Sequence, residues 1–425
     1  MPASSDGPAT LSPARIRFAL LALALGGFGI GSTEFVAMGL LPNLAQDLLP
    51  GLYATAPDAA NAQAGWLISA YALGVVVGAP TIAAAAARWP RKQLLLALLA
   101  AFTLSTIASA LLPAFGLVLV ARFVAALPHG AYFGIASLVA ADLMGPGKRA
   151  RGVALVLSGL TIANVIGVPL ITWLGQTTGW RVSYLVVAAI FAATFVAVAT
   201  LVPLQDGNPH ATMRSELRAF GRLQVWFALM IGAIGFGGLF AVYTYVAPLV
   251  MEVTGLGAGA VPLVLVVIGV GMTIGNLAGG ALADWSVRRT MYLFFGVMLL
   301  ALTGLALSAQ SVPGLLIGVF LVGAAASGLS PAIQTRLMDV SHDSQSIAAA
   351  LNHSALNVGN ALGAFLGGVV VAAGYGYVAP VWIGLGLSII GLLLTVGTFR
   401  LDRTLRRSGL VLPYGTDVIQ VMDAA

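Results

Sequence analysis

Long apolar runs with almost no charge recur along this chain, and they constrain its fold more than any single motif does. Hydrocarbon offers no water to backbone N–H and C=O groups, so a segment that crosses a bilayer must satisfy them internally, as a helix of about 20 mostly apolar residues. Such runs fall near 17–41, 63–87, 93–112, 116–141, 152–174, 183–203, 225–249, 260–282, 291–310, 313–337, 347–372 and 378–399. The expectation is an all-α membrane protein with twelve transmembrane helices. Of its 425 residues 59% are hydrophobic and 8% charged, where an ordinary soluble domain carries roughly a quarter charged. Pro and Gly inside several runs do not argue against helix, because neighbouring helices re-satisfy the freed backbone groups.

Charge placement tests the count and sets an orientation. With the N-terminus cytoplasmic, the inside segments hold eighteen of the twenty basic residues; Arg181 falls in an outside loop and Arg122 inside a span. This positive-inside bias places both termini in the cytoplasm and accounts for the net charge of +6 without a nucleic-acid partner. The longest polar break, "LQDGNPHATMRSELRAFGRLQ" from Leu204 to Gln224, divides the spans six and six. Five segments follow: an N-terminal cytoplasmic segment at 1–16, a six-helix bundle at 17–203, a linker at 204–224, a second bundle at 225–400 and a cytoplasmic tail at 401–425. Met213 to Leu223 is a candidate for a basic helix on the inner surface.

The two halves resemble each other. Arg91-Lys92 in "RWPRKQLLL" and Arg288-Arg289 in "DWSVRRTMYL" lie 197 positions apart, and Asn164/Asn360 and Gly167/Gly363 lie 196 apart. Near-equal offsets from separate places point to a duplicated, pseudo-symmetric six-helix unit.

Several chemistries drop out. The chain has no cysteine, so thiolate metal sites, disulfides and cysteine nucleophiles are excluded. No Gly-x-x-x-x-Gly-Lys-Ser/Thr sequence occurs and the only lysines are Lys92 and Lys148, which excludes an ATP-driven pump built on a P-loop within this chain. Neither a metal nor a cofactor is expected. The first run is too long for the h-region of a cleaved signal peptide and reads as a retained helix.

"GGALADWSVRR", Gly279 to Arg289, resembles the loop signature Gly-x-x-x-Asp-x-x-x-Arg-Arg of the major facilitator superfamily, with Gly280, Asp284, Arg288 and Arg289 in place. The first-half copy keeps Gly78, Arg88, Arg91 and Lys92 but has Ala87 at the acidic position and Pro90 at the second glycine position. "LVARFVAALPHGAYFG" is similar to the fourth-helix motif whose arginine, here Arg122, lies in the cavity. "GLTIANVIGVPLITWLG" resembles the fifth-helix motif of exporters, with Gly159, Gly167, Pro169 and Gly175, and "STEFVAMGLLPNLAQDL" is similar to the start of sugar-efflux members. The resemblance covers about 15–400. It implies the twelve-span drug:proton antiporter branch that includes sugar and purine-nucleoside efflux permeases, a bacterial inner membrane, a functional monomer, and two bundles rocking about a central site. Gating roles at Gly78, Arg88, Arg91, Lys92, Gly280, Asp284, Arg288, Arg289, Gly167 and Pro169 follow from it. Positive-inside residues with a helix-end acid are the plainer reading of the Asp284 cluster.

Ionisable groups inside spans cost roughly 2.5–3.5 kcal/mol each on insertion scales, so they face cavities and mark functional sites. Glu34 and Arg122 each lie about six or seven residues from the outer end of a span, hence roughly 10 Å deep at 1.5 Å per residue. Glu34 is the candidate proton carrier, paired in one state with Arg122. A structural ion pair, or a Glu34 near the outer water with no coupling role, is the alternative. His129 lies seven residues after Arg122, on nearly the same face, and is either a proton relay or a packing histidine. For His353, near the inner end of its span, helix capping is the expected role, and His210 and His342 fall in inner loops.

Tyr71, Tyr132, Asn164, Tyr243, Tyr245, Asn276, Asn357 and Asn360 are candidates for lining a neutral cavity that suits an uncharged, hydroxyl-bearing or amphipathic solute. Interhelical hydrogen bonding is the alternative for any one of them. The expected activity is proton-coupled efflux of a small solute, with protons, that solute and membrane lipid as partners. An uptake symporter or facilitator of the same fold is the second reading, and a channel or membrane-embedded enzyme the third.

Overall fold

A computed structural model describes residues 12–85, 89–145, 149–205, 223–341 and 345–407. Most of the interdomain linker, Arg88, Lys148, His210, His342 and residues 408–425 of the tail lie outside them. Among the described residues, twelve helices cross the molecule in two six-helix bundles. The first bundle holds α1 (Pro13–Gly39), α2 (Trp66–Ala85), α3 (Arg91–Leu111), α4 (Phe115–Met144), α5 (Gly152–Thr178) and α6 (Trp180–Leu201). The second holds α7 (Leu223–Thr244), α8 (261–285), α9 (287–308), α10 (Val312–Ser341), α11 (Gln345–Ala372) and α12 (Ala379–Arg407). Arg91, Lys92, Arg288, Arg289, Arg336 and Arg400 lie at one side of the helices, termed here the basic face; the opposite side is the far face.

Local chemistry sets the breaks. Ser12 caps α1 by accepting from the Arg15 N–H at 3.3 Å, and Pro13 occupies the first turn, where no N–H is needed. Leu40 ends α1 at φ −109°, ψ 16°, and Tyr245 ends α7 at φ −106°, ψ 19°. Each is followed within three residues by a proline, Pro42 and Pro248, which has no N–H for the helical ladder. The same break thus occurs in both bundles.

Glycines carry the repeat further. A Cβ on Gly74 would collide with the Phe123 carbonyl and one on Gly78 with that of Leu127; a Cβ on Gly271 would collide with the Phe320 carbonyl and one on Gly275 with that of Ala324. All four pairs map onto one another at an offset of 197. The α2–α4 and α8–α10 crossings are therefore the same backbone-to-backbone contact, of the kind small residues allow between membrane helices.

Two connections have distinctive shapes. Between α1 and α2 the chain forms three short helices, Leu41–Leu48, Pro50–Thr55 and Pro57–Ala64, each with a proline preset for its first turn. Between α8 and α9, Ser286 alone leaves helical geometry, at φ −164°, ψ 103°. In α5 a wide turn spans Ala163–Gly167, where the Val168 N–H reaches five residues back to the Ala163 carbonyl. Pro169 explains it, since it has no N–H to offer the Val165 carbonyl. The bundles meet along α1–α7, α2–α11 and α5–α8, with Gly269 of α8 seated against the Asn164 carbonyl of α5.

Candidate transport site

Glu34 lies on α1 where that helix meets the second bundle. It is 5% exposed, and the Asn360 Nδ2 of α11 donates to its Oε1 at 3.3 Å. The neighbouring Phe35 stacks on Phe240 and Tyr243 of α7, with ring centroids 6.3 and 5.3 Å away. The carboxyl group is buried and is reached by one amide from across the seam.

Arg122 is 1% exposed. Its Nη1 donates to the Thr33 carbonyl at 3.0 Å and to the Thr33 hydroxyl at 3.1 Å. Its guanidinium lies 4.3 Å from the centroid of Tyr71 and 5.4 Å from that of Tyr184, an arrangement in which the ring faces hold the cation. The expected Glu34–Arg122 ion pair is not formed: among the described residues no salt bridge joins them. Arg122 instead holds the residue beside Glu34 and keeps Nε and Nη2 without a protein partner. A buried donor left unpaired costs about 1–3 kcal/mol, so those two nitrogens are available to water, solute or a swung carboxylate.

Tyr71 continues the line, with its hydroxyl 3.3 Å from His129 Nδ1. His129 in turn lies 6.3 Å, centroid to centroid, from His353 of α11, and Phe133 stacks flat on His353 at 5.5 Å. Helix capping for His353 is corrected here: the residue sits within α11 and packs across the seam on α4, because α11 begins at Gln345, two turns before it.

The remaining candidates divide. Asn357 Nδ2 donates to the His353 carbonyl at 3.0 Å, and the Oδ1 atoms of Asn164, Asn357 and Asn360 and the Tyr243 hydroxyl are buried without a protein partner. These groups converge on the seam. Asn276 is exposed on the α8 face that carries Gly269 one heptad earlier. Tyr132 lies away from the seam, inside the first bundle, donating to the Leu23 carbonyl at 2.9 Å over the space left by Gly26. Tyr245 is at the far face, where it donates to the Ala364 carbonyl at 2.9 Å.

At the basic face, Arg91 pairs with Asp142 and Lys92 donates to the Ala199 carbonyl at 2.7 Å, both within the first bundle. Asp284 does not pair with Arg288 or Arg289 among the described residues; Arg289 lies over the Trp285 ring at 4.8 Å. In their place Asp402 gathers the second bundle, accepting from Arg336 at 2.6 Å and Gln224 at 2.7 Å. Gly280 has open space where a Cβ would stand, whereas Gly167 is packed on Phe28.

At the far face a crevice of about 530 Å³ opens between the bundles, bordered by Asp58, Asn61, Glu252, Val371 and Tyr377. The Tyr377 hydroxyl donates to Asp58 at 2.7 Å and accepts from Asn61 at 2.7 Å. Burial holds its phenol above the usual range, and the Asp58 carboxylate adds to this, against the opposing hydrogen bond from Asn61. Ser69 donates to the Ala361 carbonyl at 3.3 Å and Gln176 to the Ala258 carbonyl at 3.1 Å, so polar ties cross the seam repeatedly from the Glu34 level to the far face.

Residues 23–312 and 261–410 match the family model described as Major Facilitator Superfamily. The chain belongs to that superfamily. The inner membrane transport protein YdhP of Escherichia coli is 39% identical over 85% of this chain and 91% of its own. A chloramphenicol resistance protein of Streptomyces lividans is 31% identical over 90% of this chain and 96% of its own. Among solved structures, a D-xylose-proton symporter superposes with a TM-score of 0.70 at 18% identity, covering 89% of this chain and 97% of that one. This chain is a multi-pass membrane transporter with the major facilitator fold.

Tyr184, Thr33 and the Asp58–Asn61–Tyr377 group were not singled out from the sequence. Thr33 had a signal, its place beside Glu34. Tyr184 had none, since nothing in an apolar run says that one tyrosine will face an arginine on another helix.

Proposed function

We propose that this transporter exports a small neutral or amphipathic solute from the cytoplasm in exchange for protons, with the basic face cytoplasmic and Glu34 as the proton carrier. The observation that carries the reading is the burial of Glu34 at the seam, bonded across it by Asn360. An intramembrane acid between two bundles that move relative to each other changes its surroundings when they rock, and with them its affinity for a proton. Arg122, beside it on Thr33, is the counter-charge that an ionised Glu34 turns toward. The unpartnered amide oxygens of Asn164, Asn357 and Asn360 and the Tyr243 hydroxyl suit hydrogen bonds to an uncharged solute, and the rings of Phe35 and Phe240 suit its apolar side.

The energetics are sufficient. A proton falling through ~100 mV and one pH unit releases about 2.3 plus 1.4 kcal/mol, enough for a gradient of several hundredfold in a neutral solute. The chloramphenicol resistance relative favours an amphipathic drug-like substrate over a sugar. The test uses everted membrane vesicles from an overexpressing strain that hold a respiration-driven acid interior. Chloramphenicol, nucleosides and sugars are added one at a time while a fluorescent probe follows the lumenal pH. At least one compound is expected to dissipate the gradient; if none does so above empty-vector vesicles, the reading is wrong.

A further inference from the structure

Two helices on opposite sides of the seam carry matched pairs. On α4, Arg122 and His129 are seven residues apart; on α11, which runs the other way, His353 and Asn360 are also seven apart. Seven residues is about two turns and roughly 10 Å of rise, so each pair shares one face of its helix. Asn360 binds Glu34 at 3.3 Å, and one rung nearer the basic face His129 meets His353 at 6.3 Å between ring centroids. Tyr71 connects the rungs on the first-bundle side, lying 4.3 Å beneath the Arg122 guanidinium and 3.3 Å from His129 Nδ1.

We propose that His129 and His353 form a two-imidazole relay through which the proton carried by Glu34 leaves toward the basic face. This rests on the reading of Glu34 as carrier and adds His353 to it. The geometry distinguishes the pair from ordinary packing histidines. The rings come from different bundles, so they are neighbours in this conformation and part if the bundles separate there. His129 is 2% exposed and His353 half-buried, so His353 is the less enclosed member of the pair. Phe133, stacked flat on it, fixes its ring plane.

The transfer balances without a co-reactant. A proton leaving the Glu34 carboxyl enters the pair at an imidazole nitrogen, one leaves a His353 nitrogen for water, both rings end neutral and Glu34 is left a carboxylate. Two imidazolium ions this close would repel, so the pair passes one proton at a time. The ionisable groups facing this line are Glu34 from α1, Tyr71 from α2, Arg122 on α4 itself and Tyr184 from α6 over Arg122; Tyr243 of α7 lies at the Glu34 end, on Phe35.

The test needs no substrate. Full-length protein in lipid nanodiscs is given a rapid alkaline pH jump, and time-resolved infrared absorption follows loss of the protonated carboxyl band that Glu34→Gln removes. In His353→Gln and His353→Ala the band is expected to decay at least about tenfold more slowly, and added imidazole should restore the rate in His353→Ala, a rescue that a packing role does not provide. An unchanged rate in both variants overturns the relay, as does a slowed rate that imidazole leaves slow. Absence of any Glu34 band in the unmodified protein at every starting pH overturns the carrier reading itself, and the relay with it.

Discussion

The two bundles share a backbone and differ in chemistry. At an offset of 197 the helix crossings coincide glycine for glycine, Gly74 with Gly271 and Gly78 with Gly275. Yet at the same offset Tyr71, Arg122 and His129 become Ile268, Val319 and Ala326, all buried and all apolar. Six residues before the matching breaks at Leu40 and Tyr245 stand Glu34 and Leu239. Symmetry is kept where backbones touch, and the acid and the arginine of the seam, Glu34 and Arg122, both belong to the first bundle, which the second bundle answers with Asn357, Asn360 and His353. A duplicated scaffold supplies two rocking surfaces; a single carrier needs its acid on only one of them.

That contrast can be broken most sharply at Glu34. Glu34→Gln should cut pH-gradient-driven solute movement by about 100-fold or more, whereas Leu239→Gln at the equivalent place should leave coupling intact, both read in everted vesicles against protein level. Next in size are the glycines. Gly78→Val and Gly275→Val should each cost about 2 kcal/mol or more, roughly thirtyfold in the folded-to-unfolded ratio, and by similar amounts; a thermal-stability assay that finds one tolerated would break the structural equivalence. Tyr71→Phe removes the hydrogen bond to His129 and should slow transport about fivefold, while Ile268→Val at the matching site should not. The smallest effect is expected at the far face. Tyr377→Phe loses both bonds to the Asp58 side, and cysteine-accessibility labelling of the far-face seam should rise about threefold.

Much of this was legible in the sequence because it follows from solvation. Twelve apolar runs and the basic loops gave the helices and the division into halves, and Arg91-Lys92 against Arg288-Arg289 gave the offset that the glycine crossings then reproduce. Glu34 and Arg122 stood out because a charge inside an apolar run is costly. What could not be read was direction around a helix. Arg122 lies seven residues from His129, as expected, but which side chain each meets depends on packing of α1, α2 and α6. Tyr132 shows the same limit: its hydroxyl turns to the Leu23 carbonyl because Gly26 leaves room there, a three-helix fact absent from any run of residues. The loop signature Gly280–Arg289 was read as a charge cluster, yet Ser286 turns the chain so tightly that Arg289 lies on Trp285 and Asp402, far along the chain, does the pairing in that bundle.

The central claim, that one acid at the seam carries the exchanged proton, is tested most directly by counting protons against solute. Purified protein in proteoliposomes, supplied with whichever solute dissipates the gradient in vesicles, is followed for lumenal pH and labelled solute together, with and without Glu34→Gln. The account predicts at least one proton per solute in the unmodified protein, and in the variant solute-for-solute exchange that continues with no proton movement. Proton movement at the unmodified ratio in Glu34→Gln would contradict it.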